Sequence, residues 1–191
     1  DAEMFLSRTL YRPRPFSATS LGASIRALAQ HPFGFVSALL FVLRNCVLHP
    51  VYARELVSGL LAACWFSGRL DRRATRHIHA HFASYPATVG LLLAELCSSS
   101  FSISCHAQDI FCASTILLSR KLREADFVTV CTRYGLERLQ RNHSLTSSDK
   151  LHLIYHGIEA GKLSQQRHVS YRVPMIVSVG RLVEKKGFPF L

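Results

Sequence analysis

The stretch HIHAHFASYPATVGLLLAELCSSSFSISC, residues 77–105, decides the fold. His77–His81 reads as a strand. Pro86–Cys97 reads as a helix with a proline in its first turn, where the missing N–H costs nothing. Phe101–Cys105 reads as a second strand. The pattern then repeats, with a helix predicted over Ala113–Ala125 and a strand over Phe127–Cys131. Thr132 is expected to cap a helix reaching Asn142, and a further strand, Leu151–Tyr155, ends at Gly157. The strands read as apolar runs rather than alternating ones, and their repetition with helices predicts a parallel sheet covered on both faces, hence an α/β fold.

Upstream, Ser20–Arg76 has helical texture, broken at His31-Pro32 and His49-Pro50. The helix predicted from Val51 to Ser67 carries Leu56, Val57, Leu60, Leu61, Cys64 and Trp65 on one broad apolar face. Two readings stand for this region. Its helices pack on the domain core, or the Phe33–Leu43 helix lies on an anionic membrane surface beside the neighbouring arginines. Downstream, residues 159–173 are polar and read as an interdomain linker. Met175–Val179 then reads as a buried strand opening a second domain, ahead of the turn in SVGRLVEKKGFPFL, residues 178–191.

Net charge is +11, from 23 Lys+Arg against 12 Asp+Glu, and the first eighty residues hold ten arginines, no lysine and four acids. That balance favours an anionic partner. Helix-turn-helix, zinc-finger and RNP patterns are absent and aromatics are not interleaved with the basic residues, which argues against nucleic acid. The longest apolar stretches, Phe33–Leu43 and Leu56–Phe66, have eleven residues each, against about 20 for a membrane span. Six cysteines lie mostly in apolar runs without C-x-x-C spacing. They read as free thiols in a reducing cytoplasm.

Ligands of open parallel sheets bind beyond the carboxyl ends of the strands. That rule selects His81, the pair His106 and Asp109, and Gly157. It also selects Gly180, Arg181 and Lys186, where a glycine turn with two cations suits a phosphate. These residues are expected to converge on an interdomain cleft. His77, His79 and His81 share one strand face, yet positions i and i+2 lie about 7 Å apart, so a metal there is the lesser reading.

Five segments, HIHAHFASYPATVGLLLAEL, FSISCHAQDIF, KLREADFVTVCTRYGLERL, KLHLIYHGIE and SVGRLVEKKGF, run in order across residues 77–188. Together they resemble family 4 of the retaining glycosyltransferases, and within it the bacterial enzymes of colanic-acid and exopolysaccharide assembly. The resemblance implies a GT-B architecture. Residues 1–158 would then be a partial Rossmann-like acceptor domain and 174–191 the start of the nucleotide-sugar domain. A first strand and glycine loop would precede residue 1, and a Glu-x7-Glu motif would follow Leu191. On this view the chain is an internal fragment, inactive by itself. The implied reaction moves a hexose from a nucleotide sugar to a lipid-linked or oligosaccharide acceptor with retention. His106 would line the sugar pocket as the catalytic residue with Asp109 near it, and the strand-end rule adds His81 and Gly157 to that pocket. Gly180, Arg181 and Lys186 would hold the donor diphosphate. No metal or other cofactor is implied, and the implied location is cytoplasmic, peripheral on the inner face of the plasma membrane. The alternative from another class is a non-catalytic basic module on anionic membrane surfaces.

Overall fold

The computed structural model describes residue 6 and residues 8–71, 74–111, 117–143, 148–157 and 177–190, in two units, Asp1–His156 and Gly157–Leu191. The first unit begins with three helices, α1 (Ala18–Gln30), α2 (Pro32–Leu48) and α3 (Ala53–Ser67). Ser17 caps α1 by accepting from the Ser20 N–H at 3.3 Å. The two His-Pro dipeptides end α1 and α2 as expected, each proline falling in the first turn of the next helical piece.

There follow β1 (His77–His81), α4 (Tyr85–Cys97), β2 (Ser100–Cys105), α5 (Ala107–Phe111), α6 (Leu118–Glu124), β3 (Phe127–Val130), α7 (Arg133–His143) and β4 (Leu151–Leu153). The Thr132 hydroxyl caps α7 by accepting from the Gly135 N–H at 3.1 Å. The four strands are parallel, in the order β1-β2-β3-β4. The α/β class and the parallel sheet are thus as predicted.

Coverage of both sheet faces is not. The strands alternate. Ile78 and Ala80, Phe101, Ile103 and Cys105, Val128 and Val130, and Leu151 all turn to one face and form a single core with Ala87, Ile110, Leu122 and Leu139 of the helices. His77, His79 and His81, Ser100, Ser102 and Ser104, Thr129 and His152 occupy the opposite parity. Right-handed crossovers between strands in simple sequential order put every connecting helix on one side. Among the described residues of this unit, the other side carries no helix and is mostly polar, with Ser102 buried and Phe127 stacked among the histidine rings.

The N-terminal helices pack on the connecting helices rather than on the sheet. Helix α3 is central and buried over most of its circumference, and Leu56, Leu60, Ala63 and Cys64 join Val42 of α2 and Leu92 and Leu96 of α4 in a second core. Burying a leucine in such a layer stabilises by about 1.5–3 kcal/mol. The core-packing expectation therefore holds for α3, while α2 keeps an apolar face outside. Phe33, Val36, Leu40, Leu43 and Val47 are exposed along it, Phe33 at 90% and Val47 at 81%.

In the second unit the expected strand is missing from the part described. Val177–Val179 is irregular and Val179 is 95% exposed. No other strand of this unit lies among its described residues, and an extended segment without a ladder partner is not a strand. Met175 and the linker, 159–173, fall outside the described residues. Glu184–Lys186 and Phe188–Phe190 form short 3-10 turns instead.

Gly34 tests the helix layer. A Cβ added there would lie 2.8 Å from the backbone oxygens of both Glu95 and Leu96, and a helix backbone cannot give way as a side-chain tip can. Gly34→Ala is expected to destabilise by about 1–3 kcal/mol, overcoming the roughly 1 kcal/mol that alanine gains in a helix. Gly22→Ala on α1, whose new methyl meets nothing within 4 Å, should instead stabilise by about 0.5–1 kcal/mol. Urea unfolding of both variants measures the difference.

Candidate functional site

The carboxyl edge of the sheet gathers rings and one thiol. His81 ends β1, His106 follows β2, Cys131 follows β3, and His156 lies three residues past β4. The His81 and His106 ring centroids are 4.5 Å apart and those of His106 and His156 are 5.5 Å apart. One ligand atom from each of His106, Cys131 and His156 falls within 4.8 Å of the others. Register explains the meeting. Cys105 pairs with Val130, so His106 and Cys131 stand one step further on adjacent strands, about 4.8 Å apart. Alternation then turns both away from the helical core.

Phe82 completes the edge. Its ring packs 4.8 Å from His81 and 4.6 Å from His106. Its φ of 82° is left-handed, an outlier for a bulky residue and a cost carried at this turn.

Asp109 was expected in a loop lining the pocket. It sits inside α5 at 2% exposure. One carboxylate oxygen accepts from the His106 N–H at 2.9 Å, and the other from the Ser84 N–H at 3.1 Å. The first bond is half of a capping box, with the third helical residue reaching back to the cap. Asp109 thus ties the turn after β1 to the turn after β2 and fixes His106 between them. Buried Lys121, 1% exposed, supports the same turn by donating to the Ala83 and Ser84 carbonyls, each at 2.9 Å. Burial pulls its ammonium down to about 8, against the opposing pull of Glu55 and Asp109.

His77 and His79 are engaged elsewhere. His77 bonds Ser100 through Nδ1 and Ser102 through Nε2, both at 2.6 Å. His79 bonds Ser102 at 2.7 Å and Ser104 at 2.9 Å. The three-histidine strand is mainly a seam holding β1 to β2.

The remaining predicted residues belong to the second unit. Gly157 opens it and is exposed, with open space where a Cβ would stand. Arg181 and Lys186 are exposed. A Cβ built on Gly180 would lie 3.4 Å from the Phe188 ring and 3.9 Å from Lys186 Cδ, so the Lys186 side chain passes close to Gly180. His81, His106 and Asp109 are gathered within the first unit. Cys131 and His156 were overlooked, although the strand-end rule that selected His106 points at both. The five described cysteines, including Cys131, are free thiols; Cys112 lies outside the described residues.

Comparison with models of known protein families, with curated proteins and with solved structures finds no significant match.

Two histidines hold their protons weakly. Burial depresses His79, with the charges of His77 and His81 adding to it. Burial also depresses His106, helped by His81 and His156 and opposed by Asp109. Unfolded histidine titrates near 6.5, so just below that value the unfolded chain holds more protons than the folded one. Stability from these groups is complete above about pH 6.5 and is lost as pH falls through their folded values. The urea midpoint is expected to drop between about pH 7.5 and 5.5, and His79→Gln should flatten the drop. An unchanged slope in that variant would remove His79 from the account.

Proposed function

We propose that the chain is part of a retaining hexosyltransferase of glycosyltransferase family 4, working on a nucleotide-sugar donor and a lipid-linked or oligosaccharide acceptor in cell-envelope or exopolysaccharide synthesis. One observation carries the reading. Segments that resemble the family in sequence order are also those whose ends bring His81 and His106 to one carboxyl edge of a parallel sheet, the edge at which open α/β sheets bind ligands. In this reading His106 lines the sugar and acts where positive charge develops at the anomeric carbon. Arg181 and Lys186 meet the negative charge of the leaving diphosphate. Asp109 serves as a positioning residue, because its bonds go to backbone rather than into open space.

A specific feature favours a second reading, docking on an anionic membrane surface, which is compatible with the first. The exposed apolar row of α2 borders a cavity of about 390 Å³ lined by Leu40, Leu48, Arg44, Arg120 and Arg123. Apolar residues beside Arg44 and Arg123, with Arg120 paired to Glu124 at 2.8 Å, suit a lipid surface with acidic headgroups. Among the described residues no helix is long and apolar enough to cross a membrane.

Two measurements test these readings. In calorimetric titration with UDP and GDP, Arg181→Ala is expected to weaken binding about ten- to a hundredfold, the worth of one charge-assisted hydrogen bond. In the full-length enzyme that this reading implies, His106→Ala should chiefly lower turnover of the nucleotide sugar. Unchanged diphosphate affinity in folded Arg181→Ala protein sinks the donor assignment. In vesicle sedimentation the chain should prefer phosphatidylserine-containing vesicles to phosphatidylcholine alone, less so as salt is added. Equal partitioning onto both leaves α2 without a lipid role.

A further inference from the structure

We propose that His106, Cys131 and His156 form a binding site for a divalent transition-metal ion of the zinc class, with a fourth coordination position open beside His81. The proposal is independent of the transfer reading and departs from the metal-free site that the family resemblance implies.

Geometry comes first. The three ligand atoms lie within 4.8 Å of one another, close enough for one ion to draw them to bonds of about 2.0–2.3 Å by side-chain rotation. Their backbones follow three neighbouring parallel strands, so the sheet has already met most of the entropy of bringing them together. Two imidazoles and a thiolate suit zinc or cobalt and disfavour magnesium or calcium, which seek oxygen.

An independent sign is His106 Nε2. It is buried, and it has no hydrogen-bond partner among the described residues. A buried ring nitrogen left without a partner costs about 1–3 kcal/mol, and an unseen ion is among the few things that remove the cost.

The competing histidines are already committed. Both ring nitrogens of His77 and of His79 face serine hydroxyls. Cys105 is buried within the hydrophobic core. Cys131 is half-buried and His156 exposed, so both can adjust. Three protein ligands with one open position are the arrangement of metal sites that take water or an anionic oxygen.

The test uses the full chain, reduced and stripped of metal with a chelator. Cobalt(II) titration is expected to saturate at one equivalent with a thiolate-to-cobalt charge-transfer band in the near ultraviolet, and zinc should displace it. Cys131→Ser should abolish the band. His106→Ala and His156→Ala should each weaken zinc binding by at least about a hundredfold, beyond what loss of an outer-shell partner costs. The His77→Asn/His79→Asn pair should leave affinity unchanged. Circular dichroism checks folding, and exposed His156 keeps the test decisive if the His106 variant fails to fold. The site is overturned by absence of the band, by its survival in Cys131→Ser, by unaltered affinity in folded His156→Ala, or by loss of binding in a folded His77/His79 double variant.

Discussion

The parallel register of four short strands is the constraint on which the rest of this structure depends. It points all four carboxyl ends the same way, and the residues just past them must share one edge. His81, His106, Cys131 and His156 are far apart in sequence and meet because of that direction. An antiparallel arrangement would send alternate members of the set to opposite ends of the sheet. The same register sorts parity, so that the core-facing pair Cys105 and Val130 is followed at once by a pair facing away.

Sequential strand order brings a second consequence. With every crossover on one side, the apolar parity is buried under α4 to α7 and the polar parity has to be stabilised differently. It is held by side-chain bonds running across the strands: His77 and His79 to Ser100, Ser102 and Ser104, with Ser104 passing on to Thr129 at 2.8 Å. Phe127 adds stacking under His77, with parallel rings 5.5 Å apart. Each such bond contributes modestly, about 0.5–1.5 kcal/mol. Their number matters on a face that lacks apolar burial, and they set β1 in register against β2.

Much of this was legible in the residues, and the misreadings have physical causes. Helix boundaries at His31-Pro32 and His49-Pro50, the Thr132 cap and the order of strands all follow from local chemistry. The one-sided sheet was also written in H-I-H-A-H and S-F-S-I-S-C, whose strict alternation signals a half-buried strand. Treating those runs as uniformly apolar hid it. Asp109 was misplaced for a different reason. A short polar segment after a strand reads as loop, and only the fold shows that α5 starts at Ala107 and turns the carboxylate onto the His106 and Ser84 amides. Cys131 was grouped with buried cysteines because its neighbours are apolar. Val177–Val179 carries β-branched residues, yet propensity does not make a strand without a ladder.

Cys105 and Cys131 condense the relation between fold and chemistry here. Both close a strand segment, Ser-Ile-Ser-Cys and Val-Thr-Val-Cys, whose polar and apolar positions alternate in opposite phase. The first is the last residue of its strand and points into the helical core, where burial and the adjacent Asp109 carboxylate push its thiol to about 12. It can only pack. The second is one step later in register, on the opposite parity, half-buried and within reach of two imidazoles. The alternation already separates them, since Cys105 shares the parity of Ile103 and Cys131 that of Thr129. A single residue of offset across a parallel ladder fixes the difference, and it divides a thiol packed in the core from one beside two imidazoles.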